Sequence, residues 1–272
     1  MKVSLIQNNA QPDEAATLAK VHALMMAALE NDRPDLIVLT EYFHCYGLTV
    51  AEKRARAEDK TGAAYRFARD FAKEHKVFVH AGSMMERIEG EDRIYNTTYV
   101  FNREGEQVAC YRKIHMFDID TPDGLSYRES DGVRPGEDIA TYEIDGLKVG
   151  CAICYDIRFA ELFIELQKRE CDVIILPAAF TLQTGKDHWE VLSQARAIET
   201  ATYFVACGQT GATVVDGVKR ACYGQSLVVD PWGLTVAKAS DGETYVTATV
   251  DKAQIERVRG LIPVHKHRRL SC

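Results

Sequence analysis

The sequence predicts a single α/β domain built on a mixed β-sheet. Three observations predict it. Short apolar runs of strand character alternate with helical periodicity from end to end, two junctions read as hairpins, and no stretch is rich enough in Pro, Gly or Ser to serve as a linker. A chain of 272 residues is also long enough to bury a substantial core.

The elements follow in order. Residues 3–6 form a short apolar strand. Residues 12–30 carry a broad apolar face at helical spacing through Ala16, Leu18, Ala19, His22, Leu24, Met25 and Leu29. Residues 36–39 are a second strand that stops at Thr40-Glu41. Thr61 is the expected N-cap of a helix reaching His75, and residues 77–81 form the next strand. One hairpin pairs residues 95–101 with 107–113. A second pairs 139–144 with 147–153 around Asp145-Gly146, a type I′ turn signal. Residues 160–169 read as a helix, 173–176 as a buried strand, 188–201 as an amphipathic helix and 203–207 as another buried strand. The final third contains strands at 226–229, 235–239 and 245–250, separated by Pro231-Trp232-Gly233 and Asp241-Gly242.

Composition excludes several classes. Lys and Arg number 33 against 40 Asp and Glu, a net charge of −7, which argues against a phosphate-tracking surface and hence against nucleic acid as a partner. The longest apolar stretch, residues 173–180, falls far short of the ~20 residues of a bilayer span, and the N-terminus turns polar too soon for a secretory segment. A soluble cytoplasmic protein, with no membrane partner, is the expectation. Eight cysteines, at positions 45, 110, 151, 154, 171, 207, 222 and 272, are too few for a disulfide scaffold in a chain this long and lie mostly in apolar runs. Cys151 and Cys154 are spaced as Cys-x-x-Cys, but on a strand they point to opposite faces ~10 Å apart, beyond disulfide reach. No second such pair completes a zinc site, and no phosphate-binding glycine loop is present. Neither a metal nor an organic cofactor is expected.

Cys154 is the sharpest chemical feature. It ends an apolar strand and precedes the polar run Tyr155-Asp156-Ile157-Arg158 and a helix. It reads either as a buried strand cysteine or as a nucleophile whose thiol pKa and oxyanion are served by free N–H groups. Lys113 ends another strand, and Glu41 closes the strand at 36–39; alone, each reads equally as a solvated surface charge. Together the three sit where α/β folds gather active sites, and they supply the nucleophile, cation and base of acyl transfer. His115 and His188 are weaker candidates for a Cys–His pair, since no Asn or Asp is signalled as orienter. Arg158 either meets a substrate carboxylate or bridges Asp156 or Glu161. The basic run at 265–269 reads as a solvated or subunit-packing tail rather than as a metal or anion site.

At this point the sequence resembles the nitrilase (carbon–nitrogen hydrolase) superfamily. Leu-Thr-Glu41-Tyr-Phe, Tyr-Arg-Lys113-Ile-His-Met-Phe-Asp and Gly-Cys-Ala-Ile-Cys154-Tyr-Asp-Ile-Arg-Phe-Ala-Glu-Leu are similar to its three signatures. Leu176-Pro177-Ala178-Ala179-Phe180, the segment from Thr184 to Glu190, the segment from Ala195 to Glu199, and Asp230-Pro231-Trp232-Gly233 continue the resemblance in family order along nearly the whole chain. It implies a four-layer α-β-β-α sandwich with two mixed sheets, and a homodimer or higher homo-oligomer. It implies Glu41 as general base, Lys113 as cation, Cys154 as nucleophile and Glu129 as the second glutamate, with the Tyr155 N–H supporting the oxyanion and a cysteine thioester as intermediate. Phe117-Asp118-Ile119-Asp120 and the segment from Arg158 to Leu162 are most similar to the omega-amidase branch. That branch hydrolyses the terminal amide of 2-oxo dicarboxylic acid monoamides to acid and ammonia. A nitrilase, an amidase of deaminated glutathione type and a non-catalytic binding member are the alternatives. Thr40, where relatives carry Pro, and the segment from Tyr42 to Gly47 depart from the family pattern beside the implied substrate pocket.

Overall fold

In the computed structural model, which describes residues 1–120, 124 and 126–270, two β-sheets stack face to face and helices cover their outer sides. Cys272 lies outside the described residues. The chain runs β1 (Lys2–Gln7), α1 (Glu14–Asp32), β2 (Leu36–Val38), α2 (Val50–Arg56), α3 (Ala63–His75), β3 (Phe78–His80), β4 (Met84–Arg87), β5 (Ile94–Phe101), β6 (Gln107–Arg112), β7 (Asp118–Asp120) and β8 (Ser126–Arg128). It continues through β9 (Thr141–Ile144), β10 (Leu147–Cys151), α4 (Ala160–Lys168), β11 (Val173–Ala178), α5 (Leu182–Thr200), β12 (Tyr203–Gly208), β13 (Thr210–Val215) and β14 (Val218–Tyr223). The last elements are β15 (Leu227–Val229), β16 (Thr235–Lys238), β17 (Thr244–Thr249), α6 (Lys252–Leu261) and α7 (Val264–His267).

One sheet has the order β17-β1-β2-β3-β5-β4 with β6 also on β5, and the other the order β16-β15-β12-β11-β10-β9. Each is centred on three parallel strands, β1-β2-β3 and β10-β11-β12, flanked by antiparallel neighbours. Strands covered on both faces must be apolar at every position, and β2 shows it. Leu36 and Val38 face the second sheet, whereas Ile37 and Leu39 pack under α1 and α3. Full burial of such a side chain is worth roughly 1.5–3 kcal/mol. Across the interface the Cys207 thiol reaches the carbonyls of Ile6 and Val38 at 3.5 and 3.4 Å. The four-layer sandwich expected from the resemblance is the observed architecture.

One local expectation holds and two change. Asp145 and Gly146 both take positive φ, 49° and 76°, as a type I′ turn requires. Thr61 does not cap α3, however; its hydroxyl and N–H turn to Asp59, and the Glu58 carboxylate accepts the Ala63 and Ala64 N–H groups instead. The helix expected at 188–201 starts a turn and a half earlier, at Leu182. Its first residues lack apolar periodicity, and Gly185 lies where a Cβ would sit 2.4 Å from Tyr223 Cβ, so glycine lets the β13–β14 hairpin pack on this helix. Helices α2, α6 and α7, strand β4 and the hairpins β7–β8 and β13–β14 are not signalled by the sequence pattern.

Candidate active site

Glu41 leaves the sheet three residues after β2. Gly82 makes room for that exit. Its φ is +47°, and a Cβ there would lie 1.9 Å from the Thr40 carbonyl oxygen. Tyr42 then takes φ +51°, and Gln209, just past β12, donates to the Glu41 carbonyl at 2.7 Å. The carboxylate is fixed at both oxygens. Oε1 accepts from Asn96 Nδ2 at 2.9 Å and from Lys113 Nζ at 3.1 Å, and Oε2 accepts the Ala179 N–H at 2.7 Å.

Lys113 follows β6 and is only 2% exposed. Its ammonium donates to Glu129 at 3.0 and 2.8 Å as well as to Glu41, and Glu129 Oε2 also accepts the Phe117 N–H at 2.7 Å. A buried ammonium survives only with paired, hydrogen-bonded partners, and two carboxylates supply them here. Burial opposes the charge on Lys113, but Glu129 and then Glu41 outweigh it and hold its pKa well above the ordinary lysine value. Burial likewise opposes ionisation of Glu129, yet the Lys113 ammonium keeps its carboxyl below the usual range.

Cys154 begins a short 3₁₀ turn, Cys154–Arg158, in a left-handed conformation at φ +47°. A non-glycine residue there costs on the order of 1–3 kcal/mol and persists only where its surroundings enforce it. Asp156 provides that enforcement. Its carboxylate is fully buried; Oδ2 accepts the Tyr111 hydroxyl at 2.7 Å and the Ile153 N–H at 2.8 Å. Oδ1 accepts the His115 N–H at 3.1 Å and His115 Nδ1–H at 2.7 Å. The same group therefore ties the cysteine turn to the segment that carries Lys113.

The Cys154 thiol faces Glu41 closely enough to interact with it directly. Burial first, then the Glu41 charge, push its pKa well above the ordinary thiol value, and Lys113 opposes without reversing this. A lysine beside a cysteine leads one to expect a partial thiolate; burial and then the Glu41 charge favour the thiol instead. The base that removes its proton must then stand beside it, and Glu41 does.

Glu41, Lys113, Glu129, Cys154 and Tyr155 converge on one cavity of about 390 Å³. The structure does not bring Arg158 to that cavity. Its guanidinium carbon lies 5.9 Å from the Tyr155 ring centre and 5.4 Å from that of Phe180, and Nη2 meets His188 Nδ1 at 3.3 Å. It pairs with neither Asp156 nor Glu161. His115 is stacked on Phe159 with ring centres 3.8 Å apart and bound to Asp156, so it holds the framework rather than facing the thiol. Asn96, Gln209 and Asp156 escaped the sequence reading; a buried polar residue announces itself only through the partners the fold gives it. Among the described residues seven cysteines are free thiols, and no cluster of His, Cys, Asp and Glu could hold a metal ion.

The chain is 34% identical to omega-amidase NIT3 of Saccharomyces cerevisiae over 99% of its own length and 93% of the relative's. It is 34% identical to a deaminated glutathione amidase of Synechocystis over 97% of this chain and 96% of the relative. The crystal structure of Saccharomyces cerevisiae Nit3, described as a member of branch 10 of the nitrilase superfamily, superposes with a TM-score of 0.88 at 31% identity, covering 99% and 97% of the two chains. With the carbon–nitrogen hydrolase family profile matched across residues 2–260, the chain belongs to the carbon–nitrogen hydrolase family and is an amidohydrolase.

Proposed function

We propose that the protein hydrolyses the terminal amide of a small 2-oxo dicarboxylic acid monoamide, giving acid and ammonia through a Cys154 thioester. The carrying observation is the buried clamp in which one ammonium, Lys113, holds Glu41 against the Cys154 thiol and Glu129 on its other side. In this reading Glu41 takes the thiol proton as sulfur attacks the amide carbon. Lys113 and the Tyr155 N–H, among the first-turn N–H groups that a helical turn leaves free, stabilise the oxyanion. Glu41 passes the proton to the departing nitrogen, the C–N bond breaks and ammonia leaves the thioester. Glu41 then deprotonates water, the hydroxide adds to the thioester carbon, and the C–S bond breaks to return the thiol and release the acid. Glu129 holds the lysine charged and in place. Arg158 acts on the cavity wall through the Tyr155 and Phe180 rings. A cavity of about 390 Å³ suits a small substrate, at the lower end of the ~300–1,000 Å³ of ligand pockets.

A second reading, hydrolysis of a longer deaminated peptide amide, is favoured by the equal identity to the Synechocystis relative. Ammonia release from 2-oxoglutaramate, 2-oxosuccinamate, glutamine, deaminated glutathione and a simple nitrile separates these readings. Turnover of the two oxo-amides well above the rest is the expected result, and Cys154→Ala abolishes it. Preference for the longer amide favours the second reading, and wild-type rate in Cys154→Ala overturns both.

We further propose that two or more copies associate through α5 and the β15–β16 turn. There Val191, Ile198, Trp232 and Leu234 are 64, 52, 46 and 61% exposed, and Ile198 packs beside Gly233. No helix of the described residues is long and apolar enough to cross a membrane. Free buried thiols suit a reducing cytoplasm.

A further inference from the structure

The cavity wall carries two cations that the cysteine chemistry does not use. Lys53 stands on α2 with Nζ 5.0 Å from the centre of the Tyr42 ring. Arg220 stands on β14 with its guanidinium carbon 5.0 Å from the centre of the Tyr127 ring. Both line the cavity and both are partly buried. Each is therefore held on an aromatic face, an arrangement that fixes a cation without neutralising it. Among the described residues neither forms an ion pair with a carboxylate. Asp131 and Asp216 also line the cavity, but both are exposed and neither lies within ion-pair distance of the two cations.

The charge balance gives these residues a purpose. At the cavity floor Glu41 and Glu129 outnumber Lys113, so a second anion entering with the substrate meets net negative charge. Lys53 and Arg220, on the wall of the same cavity, counter that charge. The Tyr42 hydroxyl, buried in the same wall with no hydrogen-bond partner, adds an unused donor beside them.

We propose that Lys53 and Arg220 form a carboxylate-binding subsite that holds the acid end of the substrate while its amide reaches Cys154. The subsite rests on the amide-hydrolysis reading above and gives it selectivity: monoamides of dicarboxylic acids are accepted over amides of the same length that end in a methyl group.

The test compares kcat/KM for glutaramate and pentanamide, which differ in that terminal group alone, by ammonia release. The wild-type enzyme prefers glutaramate. Its kcat/KM for glutaramate falls as salt rises from about 50 to 500 mM while that for pentanamide holds, because screening weakens attraction between partly exposed charges. Lys53→Met and Arg220→Met each lower the glutaramate-to-pentanamide ratio on the order of tenfold, mostly through KM, since losing one partner of a charge-assisted hydrogen bond costs at least that factor. Lys53→Arg retains the ratio. The ratio is internal to each preparation, so partial misfolding does not imitate the effect, and the salt measurement needs no variant. A ratio that stays at the wild-type value in both Met variants, or a glutaramate rate indifferent to salt, overturns the subsite and leaves amide hydrolysis standing. Absence of ammonia from both amides and from 2-oxoglutaramate in the wild-type enzyme removes the reading on which the subsite rests.

Discussion

Replacing Asp156 with asparagine removes one buried charge and turns an NH₂ group toward donors that need an acceptor. Asp156 accepts four hydrogen bonds, from the Tyr111 hydroxyl, the Ile153 N–H, and the N–H and Nδ1–H of His115, at 2.7–3.1 Å. An asparagine oxygen can serve the donors on one side only. The two on the other side lose charge-assisted bonds worth about 1.5–3 kcal/mol each, for a total of about 3–6 kcal/mol, a large fraction of a typical domain's stability. At ~2 °C per kcal/mol for a chain of this size, the melting temperature falls by roughly 6–12 °C. Activity falls further than stability explains, because the lost bonds hold the left-handed Cys154 turn and the Lys113 segment together. Calorimetric melts and ammonia-release kinetics at 25 °C, where the variant is still folded, check both. We expect kcat to drop more than tenfold. A variant that melts within 2 °C of wild type and keeps its kcat would refute the idea that Asp156 enforces the turn.

Two further predictions concern the clamp. Burial and then Glu41 hold the Cys154 thiol well above its ordinary pKa, so its alkylation by iodoacetamide, followed by peptide mass spectrometry, should be slow at pH 7 and still accelerating at pH 9; a rate that levels off by pH 7 would mean a resting thiolate. Glu129→Gln removes one of the two carboxylates that outweigh burial at Lys113. The folded-state lysine pKa is raised, so its contribution to stability is full below the unfolded pKa of ~10.4 and is lost as pH rises through the folded value. The variant should therefore unfold at lower alkaline pH than wild type and lose at least tenfold in kcat, and coincident alkaline melts would count against the clamp.

The sheet framework was legible because its strands are buried on both faces. Runs such as Leu36-Ile37-Val38 and Val173-Ile174-Ile175-Leu176 leave no other reading, and the Asp145-Gly146 turn announced its own hairpin. The strand ends then pointed to Glu41, Lys113 and Cys154 without any knowledge of their distance. Glu129 was different. It lies on no strand end and came through the resemblance alone. What stayed hidden depended on long-range partners. Glu58 displaced Thr61 as the cap of α3 because it reaches two N–H groups that Thr61 leaves. Lys53 and Arg220 come from a two-turn helix and a hairpin, segments whose hydrophobic pattern says nothing about the cavity they border. The thiol's protonation followed from burial beside two carboxylates, which no local spacing reveals.

The central claim is that amide hydrolysis passes through an acyl group on Cys154, and capture of that group tests it most directly. Enzyme mixed with 2-oxoglutaramate, quenched in acid within milliseconds to seconds and examined by intact-protein and peptide mass spectrometry, should carry one substrate acyl group on the peptide containing Cys154. Ammonia should appear ahead of the free acid. Ammonia and acid released together, with every cysteine unmodified at all times, would contradict it.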